Sequence, residues 1–325
     1  PEPAPGEALV RVEVCGVCGS DIARMLKAGA HRMPVICGHE FSGRVVAAGP
    51  GVSGAAEGDL VTVPPLIPCF ACGECQRGRF SLCLDYDYFG SRRDGAYAEY
   101  VTVPSRNLFT VPDGVPAVAA AMIDPAAIAL HAIWRTRLGI GHRVAVVGAG
   151  PIGLFAIQWA RLAGASEVLA VELDDRKLAM AKEAGATQTA AGAEQARDLA
   201  GDGYDVVVES AGSPVAADMA ASLCARRGEA VFIGIPHAPV ELAKGTFNDF
   251  LRREITLHGA WNSFSAPFPG GEWRATADAM ASGTLNWKFM ITHELGLDAL
   301  PETMRALGDR SIFSSKVLFL PGSGQ

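Results

Sequence analysis

Four of the chain's eight cysteines fall within fifteen residues: Cys69, Cys72, Cys75 and Cys83 are spaced C-x2-C-x2-C-x7-C. Thiolates at these spacings close a tetrahedron around Zn2+, and a shell of four sulfurs leaves no position open to a substrate. The chemistry expected there is structural, because cysteine is too rare to cluster so densely as scattered packing residues. A second pair, Cys15-Gly16-Val17-Cys18, is ambiguous by itself. C-x-x-C serves as a redox couple, as half of a zinc knuckle, or as two small apolar residues of a core.

A third pattern, Gly148-Ala149-Gly150-Pro151-Ile152-Gly153, has G-x-G-x-x-G spacing. Ordinary turns share that spacing, but here a continuous apolar run at 143–147 precedes it and a helical pattern at 154–163 follows, as a dinucleotide fingerprint requires. The first glycine makes the turn, the second lets backbone approach the pyrophosphate, and the third packs helix on strand. The phosphates then rest on the helix N-terminus. A second strand-like run, 168–171, ends at Glu172, where an acid hydrogen-bonds the ribose 2'-hydroxyl and repels a 2'-phosphate. That favours NAD over NADP; the alternative is an exposed strand-end carboxylate. Lys177 is placed to cover the adenosine ribose, or equally to be a solvated helix lysine.

The elements that must position these groups are short strands and glycine turns in the first part of the chain. Residues 7–14 alternate apolar and polar, and 41–48, 59–64 and 95–104 also read as strands, which suggests a small barrel or sandwich. Residues 117–138 are helical in composition apart from Pro125. Runs at 205–209, 230–234 and 255–259, with helical segments before or between most of them, complete a βαβ series and a parallel sheet. Helices are expected at 276–283 and at 298–307, the second capped by Asp298 with Pro301 in its first turn, and a strand at 315–320 returns toward the first domain.

A chain of 325 residues is longer than one core usually serves, so two domains are expected. The net charge of -7 provides no basic face for nucleic acid or anionic lipid, which favours a small-molecule partner. The most apolar stretch, 117–134, is interrupted by Asp124-Pro125 and His131, so no membrane segment is expected. The chain opens at Pro1 without a signal-like apolar stretch, and localisation rests on the cysteines, whose metal-type clustering suits a reducing compartment such as the cytoplasm.

CGSD at Cys18, GHEFSG at Gly38, PCFACGEC at Pro68, YFGSRRDGAYAEY at Tyr88 and LRREITLHGAWNSFSAPFPGGEW at Leu251 stand in an order that resembles the zinc-dependent medium-chain alcohol/polyol dehydrogenases over essentially the whole chain. The resemblance implies an α/β protein. A GroES-like β-barrel catalytic domain with a structural zinc loop would span 1–128 and 266–325, and a Rossmann NAD-binding domain with a doubly wound parallel sheet would span 129–265.

It also implies two zinc ions per chain, NAD, and a homodimer or homotetramer. Cys18 and His39 would be ligands of the catalytic zinc. The third ligand of polyol dehydrogenases is the acid of M-I-E-P; this chain has Met122-Ile123-Asp124-Pro125, so Asp124 takes that place with one methylene less reach, and Glu40 or a water would fill the gap. Against these roles stand a merely hydrogen-bonded His39 and an Asp124 that only starts a helix. Asp21 resembles the carboxylate that orients a ligating histidine. Cys15 and Cys37 match no ligand position and read as packing residues.

By the same resemblance, a Zn2+ with an open fourth position would make the substrate hydroxyl more acidic, as it brings bound water to a pKa of about 7, and the nicotinamide would accept hydride from the carbinol carbon. Ser20 would take the alcohol proton by hydrogen bond. Many relatives place a histidine where this chain has Ala23, so the relay would run through water or another group. By resemblance, Phe89, Trp261, Asn262 and Phe264 line the pocket of a polyol or polyol phosphate, and Arg92 and Arg93 are candidate phosphate anchors. Their alternative is a solvated or salt-bridged pair in a turn. The same chemistry on another diol, an amino alcohol such as threonine, or a cyclitol is the competing reading; a non-enzymatic NAD-binding regulator is the other. His31, His131 and His293 receive no role.

Overall fold

The computed structural model describes residues 1–322. The chain divides into two compact units, Pro1–Asp124 with Ser263–Gln325, and Pro125–Asn262. The division points lie four and three residues before the expected 128/129 and 265/266.

In the first unit a seven-stranded sheet runs in the order Ile291–Leu295, Lys316–Phe319, Glu7–Gly16, Glu40–Ala48, Leu60–Thr62 and Phe109–Thr110, with Tyr100–Pro104 also pairing Glu7–Gly16. Ala8, Val10 and Val12 are buried at period two, which turns one face of the long strand inward against Phe41, Val61, Phe89 and Val103, while Val14 packs with Ala121 and Leu318. The strand expected at 95–104 is shorter, Tyr100–Pro104. Gly95, Ala96 and Tyr97 instead donate their N–H groups to the carbonyls of Ile36, Gly38 and Cys37, so these residues clamp the segment that carries His39. The C-terminal strand returns as expected, pairing Cys15 with Phe319 and Gly16 with Leu318.

The second unit holds a six-stranded sheet whose pairings are all parallel. The order is Gln188–Ala190, Glu167–Val171, Arg143–Val147, Tyr204–Glu209, Cys224–Phe232 and Thr256–Gly259. Counted along the chain this is three-two-one-four-five-six, the doubly wound order whose switch point lies beside the first strand. Val144 to Val147 and Val168 to Val171 are buried on both faces, as parallel strands covered by helices demand.

Three helix expectations change, and the first is simple: the helix expected at 276–283 spans Gly271–Ala281. Residues 117–138 form two helices, Ala117–Ala120 and Ile123–Trp134, with Pro125 in the first turn of the second, where a missing N–H costs no intrahelical bond. Asp298 is not a helix cap: Leu297–Ala299 forms a 3-10 turn, Ala299 occupies the cap position, and Pro301 stands in the first turn of Leu300–Gly308. No helix among the described residues is long and apolar enough to cross a membrane.

Candidate active site

Cys18 ends the long strand's connection in extended conformation (φ -96°, ψ 149°) and caps the short helix Gly19–Ala23. Its backbone N–H donates to Asp21 Oδ2 at 3.1 Å, so the carboxylate bends back beneath the cysteine. Asp21 is fully buried and also accepts from Tyr97 OH at 3.1 Å and from His39 Nδ1 at 3.1 Å. A carboxylate oxygen cannot donate, so His39 donates a proton from Nδ1 to Asp21, which makes Nε2 the nitrogen that would take a metal. Burial opposes the charge on Asp21, but the charge and hydrogen bond of His39, the Cys18 N–H and Arg24 hold its carboxyl below the usual range. Burial likewise opposes a charged His39, yet Asp21 and Cys18 raise its pKa well above the ordinary value. A cation arriving at His39 must therefore displace a proton.

Among the described residues, Cys18, His39 and Glu40 offer ligand atoms within 4.8 Å of one another. Asp124 is not in that group, its side chain being one methylene short of the expected glutamate. It is nevertheless buried, with neither carboxylate oxygen hydrogen-bonded. Burial, and then the charge of Glu40, push its carboxyl up to about 7. An unpartnered buried carboxylate is costly, and a cation beside it removes the penalty. The donor set of thiol, imidazole and carboxylate suits Zn2+.

Glu40 has a partner that the sequence did not reveal. Lys316, 1% exposed on the returning strand, places Nζ in an ion pair with Glu40 Oε2 and also donates to the Val17 carbonyl. The two side chains meet where Gly16 has none: a Cβ there would lie 2.8 Å from Lys316 Cε and 2.9 Å from Glu40 Oε2. Glycine between the two cysteines is thus a signal for close approach, though it does not say of what. Tyr88 and Tyr97, both inside a quoted motif, also border the cluster; the Tyr88 ring centroid lies 5.6 Å from that of His39. Cys15 is buried in the apolar core and Cys37 is half-buried.

Ser20 is half-buried on the same short helix. Its Oγ accepts from Arg24 Nη1 at 3.0 Å, one turn on. Arg24 is a second residue that pattern reading passed over, although the i, i+4 spacing from Ser20 was legible.

The four clustered cysteines converge with ligand atoms within 4.8 Å of one another. Sγ separations are 3.5 Å for Cys83 to Cys69, 3.9 Å for Cys69 to Cys75 and 4.0 Å for Cys72 to Cys83. Tetrahedral Zn–S bonds of about 2.3 Å require sulfurs about 3.8 Å apart, so these distances fit the ion. Backbone N–H groups of Cys69 and Cys72 point at sulfur; backbone hydrogen bonds lower the Cys69 thiol and bring that of Cys72 to about 6, whereas burial pushes the Cys75 and Cys83 thiols up, a penalty that a cation among the four sulfurs would offset.

At the glycine turn, Gly148 stands at φ +95°, and a Cβ on Gly153 would lie 1.9 Å from the Gly148 carbonyl oxygen, so helix and strand meet there without side chains. Gly150 caps the helix Pro151–Leu162, with Pro151 and Ile152 half-buried in its first turn, and a Cβ on Gly150 would meet nothing within 4 Å, which leaves room for a ligand's phosphates. Glu172 is brought to this turn: its carboxylate accepts from Ala149 N at 3.1 Å and from Leu173 N at 2.7 Å. Lys177 is half-buried on the helix Asp175–Glu183.

The expected substrate residues fare less well. Phe89 is fully buried, edge-on to Phe41 at 5.6 Å, and belongs to the core rather than a pocket wall. Phe264 is 2% exposed and stacked on Trp273 at 5.9 Å, again as core. Arg93 pairs with Glu7 at 3.0 Å and covers the Phe89 ring, so its guanidinium is committed within the fold. Arg92 is exposed and lies 4.7 Å above the Tyr86 ring. Trp261 is exposed, and Asn262 has a positive φ of 55° and an unpartnered buried Nδ2.

Residues 4–113 match the model of the alcohol dehydrogenase GroES-like domain and residues 151–282 that of the zinc-binding dehydrogenases. The chain is 36% identical over 323 residues to galactitol 1-phosphate 5-dehydrogenase of Escherichia coli K12, covering 97% of this chain and 92% of that protein. The crystal structure of galactitol-1-phosphate dehydrogenase from Escherichia coli superposes with a TM-score of 0.93, at 36% identity, over 99% of this chain and 94% of that one. Sorbitol dehydrogenase of Bacillus subtilis is 31% identical, over 93% of this chain and 86% of that protein. A putative zinc-binding dehydrogenase of Sinorhizobium meliloti, solved with NADP bound, matches at 34% identity and a TM-score of 0.88, over 99% of this chain and 94% of that one.

Proposed function

The chain belongs to the zinc-dependent medium-chain polyol/alcohol dehydrogenases, oxidoreductases acting on CH–OH with a nicotinamide cofactor, and from that premise we propose that it oxidises a secondary alcohol of a polyol phosphate, of the galactitol 1-phosphate type, with NAD. The observation that carries the catalytic part is the buried cluster of Cys18, His39 and Glu40 beside an Asp124 carboxylate with no partner. Those three residues would hold the catalytic zinc, with Asp124 adjacent, and Cys69, Cys72, Cys75 and Cys83 would hold the structural one. When bound, the catalytic ion supplies the Lewis acidity that makes an alcohol hydroxyl acidic near neutral pH.

The chain's own residues do the rest. Asp21 fixes the tautomer and ring of His39 and is itself held by the Cys18 N–H and Tyr97 OH. Ser20 presents its hydroxyl to the reacting oxygen. Lys316 balances the charge of Glu40 in a site that excludes water from both side chains. Gly148, Gly150, Pro151, Ile152 and Gly153 would seat the pyrophosphate, and Glu172 would accept from a ribose hydroxyl, with Lys177 alongside.

Likeness to the galactitol 1-phosphate enzyme supports the phosphorylated substrate, whereas Arg93 is spent on Glu7 and Arg92 alone of the pair is free to reach an anion. Support for NAD comes from Glu172; the NADP-bound relative makes the cofactor a point to measure. The test is kcat/KM for galactitol 1-phosphate against free galactitol, threonine and 2,3-butanediol, each with NAD and NADP. A preference for free galactitol, or for any other alcohol, overturns the phosphate assignment. Glu172→Ala should relax the NAD preference by roughly tenfold, the loss of one charge-assisted hydrogen bond; an unchanged ratio removes the acid from the ribose.

A further inference from the structure

The missing histidine at Ala23 raises the question of what governs the Ser20 hydroxyl, and the residue beside it answers. Arg24 donates Nη1 to Ser20 Oγ at 3.0 Å and to Asp21 Oδ1 at 3.4 Å, and its Cζ lies 5.9 Å from the centre of the Tyr88 ring. Its side chain is only 20% exposed. It stands where the α-helical turn Gly19–Ala23 gives way to a π-helical turn, Arg24–Ala28. Single π turns are rare and recur at functional sites. Arg24 Nη1 is also 3.4 Å from His39 Nδ1, but that nitrogen donates its proton to Asp21, so the guanidinium there is a neighbour and not a donor.

We propose that Arg24 is a positioning residue for the reaction, one that fixes Ser20 Oγ as a hydrogen-bond donor to the reacting alcohol oxygen and, by closing the path along Ser20, leaves the alcohol's own proton to pass to solvent water. This rests on the reading of Ser20 as a residue of the alcohol site. The reason lies in donor and acceptor counts. A guanidinium has five N–H donors and no acceptor. It therefore occupies one lone pair of Ser20 Oγ and can never take that hydroxyl's proton. The Ser20 hydrogen is left to point elsewhere, and a cation bonded to the oxygen makes O–H the stronger donor, the cooperative effect of a hydrogen-bonded chain. What a neutral histidine would do, accept and pass on a proton, Arg24 replaces with charge: it favours negative charge developing on the oxygen that Ser20 touches. The second contact, to Asp21, and the Tyr88 ring keep the guanidinium from swinging away.

The test is a double-mutant cycle with zinc content measured on each protein. Wild type, Arg24→Met, Arg24→Lys, Ser20→Ala and the Ser20→Ala/Arg24→Met pair are compared with NAD on galactitol 1-phosphate and on 2,3-butanediol. Arg24→Met should lower kcat about 10- to 100-fold with KM nearly unchanged, as expected when a charge-assisted bond serves only the transition state. Arg24→Lys should recover part of that loss, and Arg24→Met should add little in the Ser20→Ala background. Zinc per chain should stay at the wild-type value. Loss of zinc in Arg24→Met would show that the arginine acts through Asp21 and His39 and would overturn the proposal, as would equal effects of Arg24→Met with and without Ser20. A wild-type enzyme that turns over neither alcohol fails the functional reading, and this inference falls with it; a working enzyme indifferent to Arg24→Met fails this inference alone.

Discussion

Two clusters of cysteine-containing donors lie in the same unit of the chain, and they are built on opposite principles. The loop of Cys69, Cys72, Cys75 and Cys83 takes every donor from fifteen consecutive residues and offers sulfur alone. The centre at Cys18, His39 and Glu40 draws on the turn after the first strand and on the entry to the second, mixes sulfur, nitrogen and oxygen, and adds a fully buried ion pair and an unpartnered Asp124 around it. A saturated sulfur shell stabilises a fold and leaves nothing for a substrate, while an unsaturated mixed shell needs support from Asp21, Lys316 and Tyr97 to keep its geometry. Local sequence suffices for the first kind of site; the second is assembled by the sheet.

The largest effect that sharpens this contrast is expected from Cys18→Ser, which should reduce kcat/KM by about a thousandfold or more, the scale on which metal activation of a hydroxyl operates. Metal analysis should find one zinc per chain retained and thermal unfolding little changed. If instead Cys18→Ser leaves both ions in place, the division between the two centres is wrong. Cys75→Ser should do the reverse: the other ion is lost and Tm falls by roughly 5 to 10 °C, because zinc bound by a local shell is folding free energy. Full thermal stability in that variant would deny the loop its structural role.

Lys316→Met probes the support of the mixed centre. Leaving Glu40 buried and uncompensated should cost about 3 to 5 kcal/mol in the metal-free protein, and Lys316→Met with Glu40→Gln should recover most of it. Denaturant unfolding of both variants measures the difference; equal losses would mean that the pair contributes packing and not charge balance.

The smallest effect comes from Asp124. Its carboxyl is raised to about 7 in the fold, by burial first and Glu40 second, against an ordinary value near 3.8 when unfolded. The folded state then binds the extra proton between those values, so this group's stabilising contribution is complete below about 4 and is lost as pH rises through 7. In metal-free protein Asp124→Asn should therefore be more stable than wild type at pH 8, by a few kcal/mol at most, with the gap closing toward pH 4. Zinc should shrink the gap at pH 8, since a cation offsets the buried charge. A gap independent of pH would deny that burial and Glu40 raise the Asp124 carboxyl in the fold.

How much was legible follows the same division. The parallel sheet announced itself through apolar runs alternating with helical segments, and Glu172 falls beside the glycine turn where spacing put it. Cys15 goes to the core and Asp21 beneath His39, as the motif order implied. Phe89, Phe264 and Arg93 lie in or against the core, and spacing did not show it for one reason: aromatic and arginine side chains in a glycine-rich stretch have the same composition whether they face a ligand or a core. Phe89 turned inward onto Phe41, and Arg93 found Glu7, a partner 86 positions away.

Spacing along the chain, then, determined on its own what backbone geometry can close locally: the four converging cysteines and the G-x-G-x-x-G turn with its helix. Tertiary structure alone decided the contacts that depend on which strands pair. Lys316 reaches Glu40 across 276 positions only because the last strand lies against the first, with Gly16 leaving space between them. Tyr97 reaches Asp21 only because residues 95–97 turn to hold the segment before His39. A short loop has few conformations and its residue types nearly specify them; a long-range pair is one choice among many until hydrophobic alternation and strand register remove the others.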